Sequence, residues 1–164
     1  MKNLLVLLVM FITTISISAQ ERNELQKIDL LQYKLDKLQH DYDFLDCSFK
    51  LYRLATDLRL FNNIINTKSS EILIKCYHSR YDSMLYRVYK DHYDASEENL
   101  TSSEHLAFST IMNIQEKMDL STFSETEIEV LNITIKDVES SLSAAKSSLN
   151  YYNVVLGIYK DLRR

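Results

Sequence analysis

The sequence predicts an all-α protein, an elongated antiparallel helical bundle with coiled-coil-like seams. The chain has 164 residues but one Gly and no Pro. This leaves almost no residue suited to the positive φ angles of tight β-hairpins and phosphate-binding loops. Apolar residues recur in alternating steps of three and four over two long stretches, which is typical of helical seams. The intervening stretches are rich in Asn, Asp, Ser and Thr, which favour helix caps and turns.

The N-terminal segment has the layout of a secretory signal peptide. Lys2 is followed by an apolar run over residues 4–12 and then by smaller residues up to Ala19. We therefore predict a signal peptide at 1–19 and a single helical-bundle domain at 20–164. The apolar run is shorter than the roughly 20 residues that cross a bilayer, although an uncleaved anchor is the alternative. The mature protein is expected in the periplasm or outside the cell, without an integral membrane segment.

The charge balance restricts the class of partner. The formal net charge is −4, and removing residues 1–19, which hold one Lys and no acid, makes it −5. A negative chain without a basic cluster is unsuited to nucleic acid or to anionic lipid surfaces. We expect no nucleic-acid binding.

The first predicted helix covers residues 21–61 and carries two apolar stripes. The first stripe, called the α1 seam below, is Ile28, Leu31, Leu35, Leu38, Tyr42, Leu45, Phe49 and Tyr52. The second stripe is Cys47, Leu51, Leu54, Leu58, Phe61 and Ile65. A helix with two apolar faces is expected to contact two neighbours. A break is predicted in the polar segment 62–69.

The middle of the chain predicts two shorter helices, at 70–93 and 103–118, separated by a polar loop at 94–102. The inner face of the first is predicted to be Leu73, Tyr77, Tyr81, Met84, Leu85 and Val88. The inner face of the second is predicted to be Leu106, Ala107, Ile111, Ile114 and Met118. Together they match the length of the first helix, so we favour three long rods with the middle one interrupted. The alternative is a short four-helix bundle in which residues 103–118 fold back.

The last helix, predicted from about Ser124 to Leu162 after a loop at 119–123, has the most regular pattern. Ser124 and Glu127 match a capping box, in which each side chain binds the other residue's backbone N–H. Its seam is Ile128, Leu131, Ile135, Val138, Leu142, Ala145, Leu149, Tyr152, Leu156 and Tyr159. Full burial of each such side chain contributes about 1.5–3 kcal/mol, so this seam is expected to meet a partner surface.

Two cysteines define a candidate disulfide. An exported protein meets oxidising conditions, and a hairpin turning near Asn62 would bring Cys47 and Cys76 together. A turn only a few residues later separates them beyond the ~7 Å Cα limit of a disulfide. Two buried free thiols and an intermolecular bridge are the alternatives.

Motifs for metal or catalysis are missing from the sequence. No His lies three residues after a Glu, as in di-iron bundles, and no zinc or haem motif occurs. Asp36, His40, Asp43 and Cys47 share one helix face, but such spacing usually gives solvated pairs. The Cys and His positions do not match a nucleophile–base pair. We therefore expect no metal, no cofactor and no enzymatic activity.

The candidate partner-binding residues are Tyr86, Arg87, Lys90 and Tyr93. Tyr86 and Tyr93 are predicted to lie one heptad apart on the outer face, with Lys90 between them. Exposed Tyr and Arg are enriched in contact hot spots. The alternative is that amphipathic tyrosines cover the flank of the bundle.

The sequence therefore predicts an exported, non-enzymatic helical scaffold or adaptor of the cell envelope. It would act through contacts with a protein partner or with copies of itself. The alternative is a helical-bundle sensor or carrier that binds a small ligand or a metal between its helices.

Overall fold

The computed structural model describes residues 2–78, 81–120 and 123–163, with side chains from Glu24 onward except that of Leu120. These residues form three long helices: α1 (Lys2–Tyr77), α2 (Ser83–Leu120) and α3 (Glu125–Asp161). No strand occurs among them, and the predicted all-α helical-bundle class is confirmed. The side chains of the predicted signal peptide, 1–19, lie outside the described set.

The chain divides into two compact units, Met1–Asp43 and Phe44–Arg164. The first unit is formed by the N-terminal part of α1. The second unit contains the rest of α1 together with α2 and α3, and it holds the hydrophobic core. Residues 20–43 of the predicted single domain therefore fall in the first unit.

Within the second unit, side-chain partners define the directions of the helices. Tyr159 of α3 contacts Tyr81 just before α2, and Tyr152 contacts Tyr93 further along α2, so α2 and α3 are antiparallel. At the opposite end, Phe44 of α1 packs edge-on against Phe123, with ring centroids 6.2 Å apart. From Phe44 onward, α1 thus packs together with α2 and α3.

The predicted break at 62–69 is wrong, because α1 continues to Tyr77. The polar side chains of this segment bond within the helix: Thr67 Oγ1 donates to the Asn63 carbonyl and Ser69 Oγ to the Ile65 carbonyl, each at 2.9 Å. Ile65, the last residue of the second stripe, is fully buried, and so is Ile72 beyond it. Their packing outweighs the weak preference of Asn and Ser for turns.

The chain instead reverses after Tyr77, and α2 begins at Ser83. Asp82 Oδ1 accepts from the backbone N–H groups of Met84 and Leu85 at 2.8 and 3.2 Å, which is helix N-capping. This reversal shifts the inner face from the one predicted for 70–93. Four of the residues predicted to lie inside are exposed, namely Leu73, Tyr77, Met84 and Val88.

The predicted interruption at 94–102 is also wrong, because α2 is continuous through it. Ser96 Oγ donates to the His92 carbonyl at 2.7 Å and Thr101 Oγ1 to the Glu97 carbonyl at 2.9 Å. Ser96 and Leu100 are buried and continue the seam of α2 toward Ala107. The predicted short four-helix alternative is excluded by the same continuity. Leu106, predicted inside, is 57% exposed.

The prediction for α3 is confirmed. Ser124 caps the helix, and the reciprocal bonds of the capping box with Glu127 are both present. Eight of the ten predicted seam residues are buried, and Ile128 and Leu142 pack against the core while partly exposed. α3 also contacts α1, since Arg59 forms an ion pair with Asp137 and Ser148 Oγ donates to the Asn62 side-chain carbonyl.

In the described part of the chain, no helix has both the length and the apolar character needed to cross a membrane.

Candidate functional site

The α1 seam is a regular apolar surface that is open to water. Each of its eight residues, from Ile28 to Tyr52, exposes between 59 and 66% of its surface. Five belong to the first unit and three to the second. The second stripe of the same helix behaves oppositely, with Leu51 and Ile65 fully buried. Within the described part of the chain, the predicted contact of the seam with a neighbour is therefore not made.

The first unit contains no core among its described side chains. Every one of them from Glu24 to Gln39 is exposed. Gln32 donates to Asp36 at 3.3 Å and Gln39 to Asp43 at 3.2 Å, and such pairs stabilise a helix by only about 0.2–0.5 kcal/mol each. Helices without tertiary packing are marginal in water, and an apolar stripe at heptad spacing is the feature that a partner helix covers. The seam of this unit therefore has heptad spacing and exposed side chains, and no core covers it among the described residues.

The predicted partner-binding cluster on α2 is not an exposed patch. Tyr93 is buried, with its ring 5.9 Å from that of Tyr152, and Tyr86 packs partly buried against the core. Lys90 pairs with Asp94 and lies 5.5 Å above the Tyr93 ring. Only Arg87 of the four is exposed. The prediction that Tyr86 and Tyr93 face outward is wrong, because the turn after Tyr77 rotates them inward.

These tyrosines belong to an aromatic cluster between α2 and α3 near the α1–α2 turn. The Tyr159 ring lies 5.5 Å from Tyr81 and 6.0 Å from Tyr89, and Tyr152 Oη donates to the Tyr89 carbonyl at 3.0 Å. Tyr159 Oη accepts from the backbone N–H of Asp82 at 3.0 Å. The hydroxyl groups of Tyr152 and Tyr159 therefore form hydrogen bonds at this end of the bundle. The density of Tyr at 77–93 was the visible signal, and four of these five tyrosines pack in or against the core while Tyr77 is exposed.

The electrostatics of this cluster follow from burial. Burial strongly raises the pKa of Tyr152, and the charges of Tyr89 and Glu71 add to the shift. Burial likewise raises the pKa of Tyr89. His92 packs edge-on against Tyr152, and burial lowers its pKa, with Lys68 adding to the effect and Glu71 opposing it. All three groups are thus held in their neutral forms, which suits a structural cluster.

The two cysteines are not brought together. Both thiols are free, and both lie on the continuous helix α1, about 30 positions and therefore about 45 Å apart. The hairpin near Asn62 that an intramolecular disulfide requires does not form. Cys47 is buried beside α2, and burial raises the pKa of the half-buried Cys76. Cys76 is only partly buried, unlike the two buried free thiols of one alternative, and an intermolecular bridge stays a prediction.

The candidate ladder of Asp36, His40, Asp43 and Cys47 does not form a metal site. His40 Nδ1 lies 3.5 Å from Asp41 instead. Across the described side chains, no group of three or more His, Cys, Asp or Glu is placed to hold a metal ion.

A groove of about 710 Å³ lies between α2 and α3. Ala107, Ile111, Val138 and Leu142 form its apolar floor. Its remaining lining residues are Glu104, His105, Phe108, Met112, Gln115 and Glu139. Its volume is in the range of small-molecule sites, although the groove is open on one side.

Comparison of the chain with models of known protein families, with curated proteins and with solved structures found no match.

Proposed function

We propose that the protein is an exported, non-enzymatic helical scaffold or adaptor of the cell envelope, and that it acts by binding protein along the α1 seam. The observation that carries this proposal is the exposure of Leu31, Leu35 and Leu38, at 61–66%, on a helix segment without a core. Burial of each side chain of this kind is favourable by about 1.5–3 kcal/mol of free energy. Export and location in the periplasm or outside the cell are proposed from the signal-peptide layout of residues 1–19.

The bundle of the second unit supports the scaffold role. It packs α1, α2 and α3 around an apolar core, and the hydroxyl groups of Tyr152 and Tyr159 in its tyrosine cluster bond to backbone groups. The bundle continues in sequence into a helix that has heptad spacing but no core. Such a protein can bind one partner through this helix while the bundle contacts another molecule. We propose no catalytic role. The sequence motifs supply no nucleophile with an adjacent base, and Ser96 Oγ, which lies 3.4 Å from His92 Nδ1, is buried and donates to the His92 carbonyl at 2.7 Å.

A photocrosslinking experiment in the native organism tests this proposal. A photoreactive amino acid is placed at Leu35 in the seam and, as the matched control, at Tyr33 on the opposite face of the same helix. Both side chains are more than 60% exposed, so they differ in face and not in accessibility. We expect protein adducts from position 35 and few from position 33. No adduct from position 35, or equal adducts from both, would refute the proposal.

The groove between α2 and α3 favours one second candidate, a bundle that carries a small apolar ligand. Its apolar floor and its volume of about 710 Å³ suit such a molecule. Native mass spectrometry of protein purified from its host tests this candidate. A bound mass that is lost on Ala107→Trp would support it, whereas a clean apo mass would exclude it.

A further inference from the structure

We propose that the partner of the α1 seam is a second copy of this chain, bound antiparallel and centred between residues 36 and 37. The inference rests on the proposed function, in that it requires the seam to bind protein. It goes further by naming the occupant, the direction of the two helices and their register.

The seam defines the heptad positions. Ile28, Leu35 and Tyr42 occupy position a, and Leu31, Leu38 and Leu45 occupy position d. In an antiparallel pair, each a residue faces a d residue of the other helix. Centring the pair between residues 36 and 37 places Leu35 against Leu38 and Leu31 against Tyr42 of the second copy. Together these pairs form four continuous apolar layers, all within the first unit.

The charges beside the seam select this register. In antiparallel pairs, residues at g flank g and residues at e flank e of the other helix. Lys34 and Asp41 occupy g, and this register brings Lys34 of each copy to Asp41 of the other. Gln32 and Gln39 occupy e and meet in the same way, which allows amide–amide hydrogen bonds. All four side chains are exposed on the described helix.

The competing arrangements place like charges together. Moving the centre to residue 40 puts Asp41 beside Asp41 of the second copy, and moving it to residue 33 puts Lys34 beside Lys34. A parallel in-register pair puts Asp41 beside Asp46, since g then flanks e of the next heptad. Like-charge pairs at these distances oppose association. Among these arrangements, only the proposed register combines opposite charges with no like-charge pair along its flanks.

Charge reversal tests the proposal, using protein purified from an exporting host as that host processes it. The dissociation constant of the dimer is measured by sedimentation equilibrium at low salt. In Asp41→Lys, two attractive pairs become two repulsive ones, so we expect dimerisation to weaken by about tenfold. Lys34→Asp should weaken it similarly. The double swap, Lys34→Asp with Asp41→Lys, restores opposite charges and should return to within about threefold of the wild type.

Asp36→Lys is the matched control, because it reverses the same charge on the same helix at a position that points away from the partner. We expect its dissociation constant to equal that of the wild type. Equal weakening by Asp36→Lys and Asp41→Lys would overturn the register, since net charge alone would then explain the effect. Tighter dimerisation by Asp41→Lys would overturn the antiparallel direction, since the introduced ammonium group would then face Asp46 of a parallel partner.

A wild-type protein that stays monomeric at millimolar concentration would overturn the second copy as the partner. The proposed function would survive that result if photocrosslinking from Leu35 captures a different protein. Both proposals fail together only if Leu35 captures neither a different protein nor a second copy. Thermal unfolding of each variant checks that the bundle is intact, which we expect because Lys34, Asp36 and Asp41 lie outside the core.

Discussion

The hydroxyl group of Tyr152 offers a sharp test of the packed end of the bundle. Its ring is completely buried, and Oη donates to the Tyr89 backbone carbonyl at 3.0 Å. Tyr152→Phe removes this donor and leaves the carbonyl with one partner fewer. At pH 7 we expect the free energy of unfolding to fall by about 1 kcal/mol, which lowers the melting temperature by roughly 3–6 °C. Tyr151→Phe is the matched control, because its ring is 48% exposed.

The same substitution should have a different effect at alkaline pH. Burial raises the pKa of Tyr152 well above its usual value of 10. The stabilising effect of the protonated phenol is therefore complete below pH 10. That stability is lost as the pH rises further, since the unfolded chain releases the proton while the folded chain keeps it. At pH 11 this costs the wild type about 1.4 kcal/mol, and Tyr152→Phe avoids that cost.

The free energy of unfolding of Tyr152→Phe is expected to be lower than that of the wild type at pH 7. This difference should shrink to zero or reverse between pH 7 and pH 11. Urea unfolding of wild type, Tyr152→Phe and Tyr151→Phe at both pH values measures it. A deficit that stays constant or grows at pH 11 would show that the phenol is not held protonated by burial. An equal deficit for Tyr151→Phe at pH 7 would refute the role of the buried hydrogen bond.

Three further substitutions test other parts of the fold. His92 has a lowered pKa, so the wild type should lose stability as the pH falls below about 6.5, and His92→Gln should flatten that loss in urea unfolding at pH 5 and pH 8. Leu131→Ala removes a fully buried side chain and should destabilise the bundle by about 2–5 kcal/mol, whereas Ile133→Ala, at a 61% exposed position, should change it little. Ser124→Ala removes the cap of α3 and should cost about 1 kcal/mol in thermal unfolding.

The seam of α3 and the residue at which it begins could be predicted because both follow from local rules of helix formation. The pattern from Ile128 to Tyr159 has one regular period, and the capping box at Ser124 marks its start. Neither signal depends on any other part of the chain. The α1 seam was predicted for the same reason, and the candidate site was therefore visible as a pattern. What the pattern could not reveal is that the seam stays uncovered while the second stripe of the same helix forms the core.

The misplaced turns have a common physical cause. Asn, Ser and Thr at 62–69 and 94–102 have weak preferences for turns, each worth a fraction of a kcal/mol. In the structure their side chains bond to carbonyl groups one helical turn earlier, as Ser69 and Ser96 do. Burial of Ile65, Ile72 and Leu100 then favours continuous helices by larger amounts.

The sequence by itself determined that the chain is helical, where its regular seams lie and which chemistry it lacks the motifs for, because these depend on residue type and spacing over a few turns. Tertiary structure decided that α1 ends at Tyr77 and α2 begins at Ser83, that Tyr93 turns inward, and that Cys47 and Cys76 lie far apart on one helix. These outcomes depend on which apolar faces meet, and that is a sum over contacts between residues distant in sequence. A shift of a few residues in one turn changes which face of the next helix meets its neighbours, so Tyr93 became part of the core and Tyr86 packs against it.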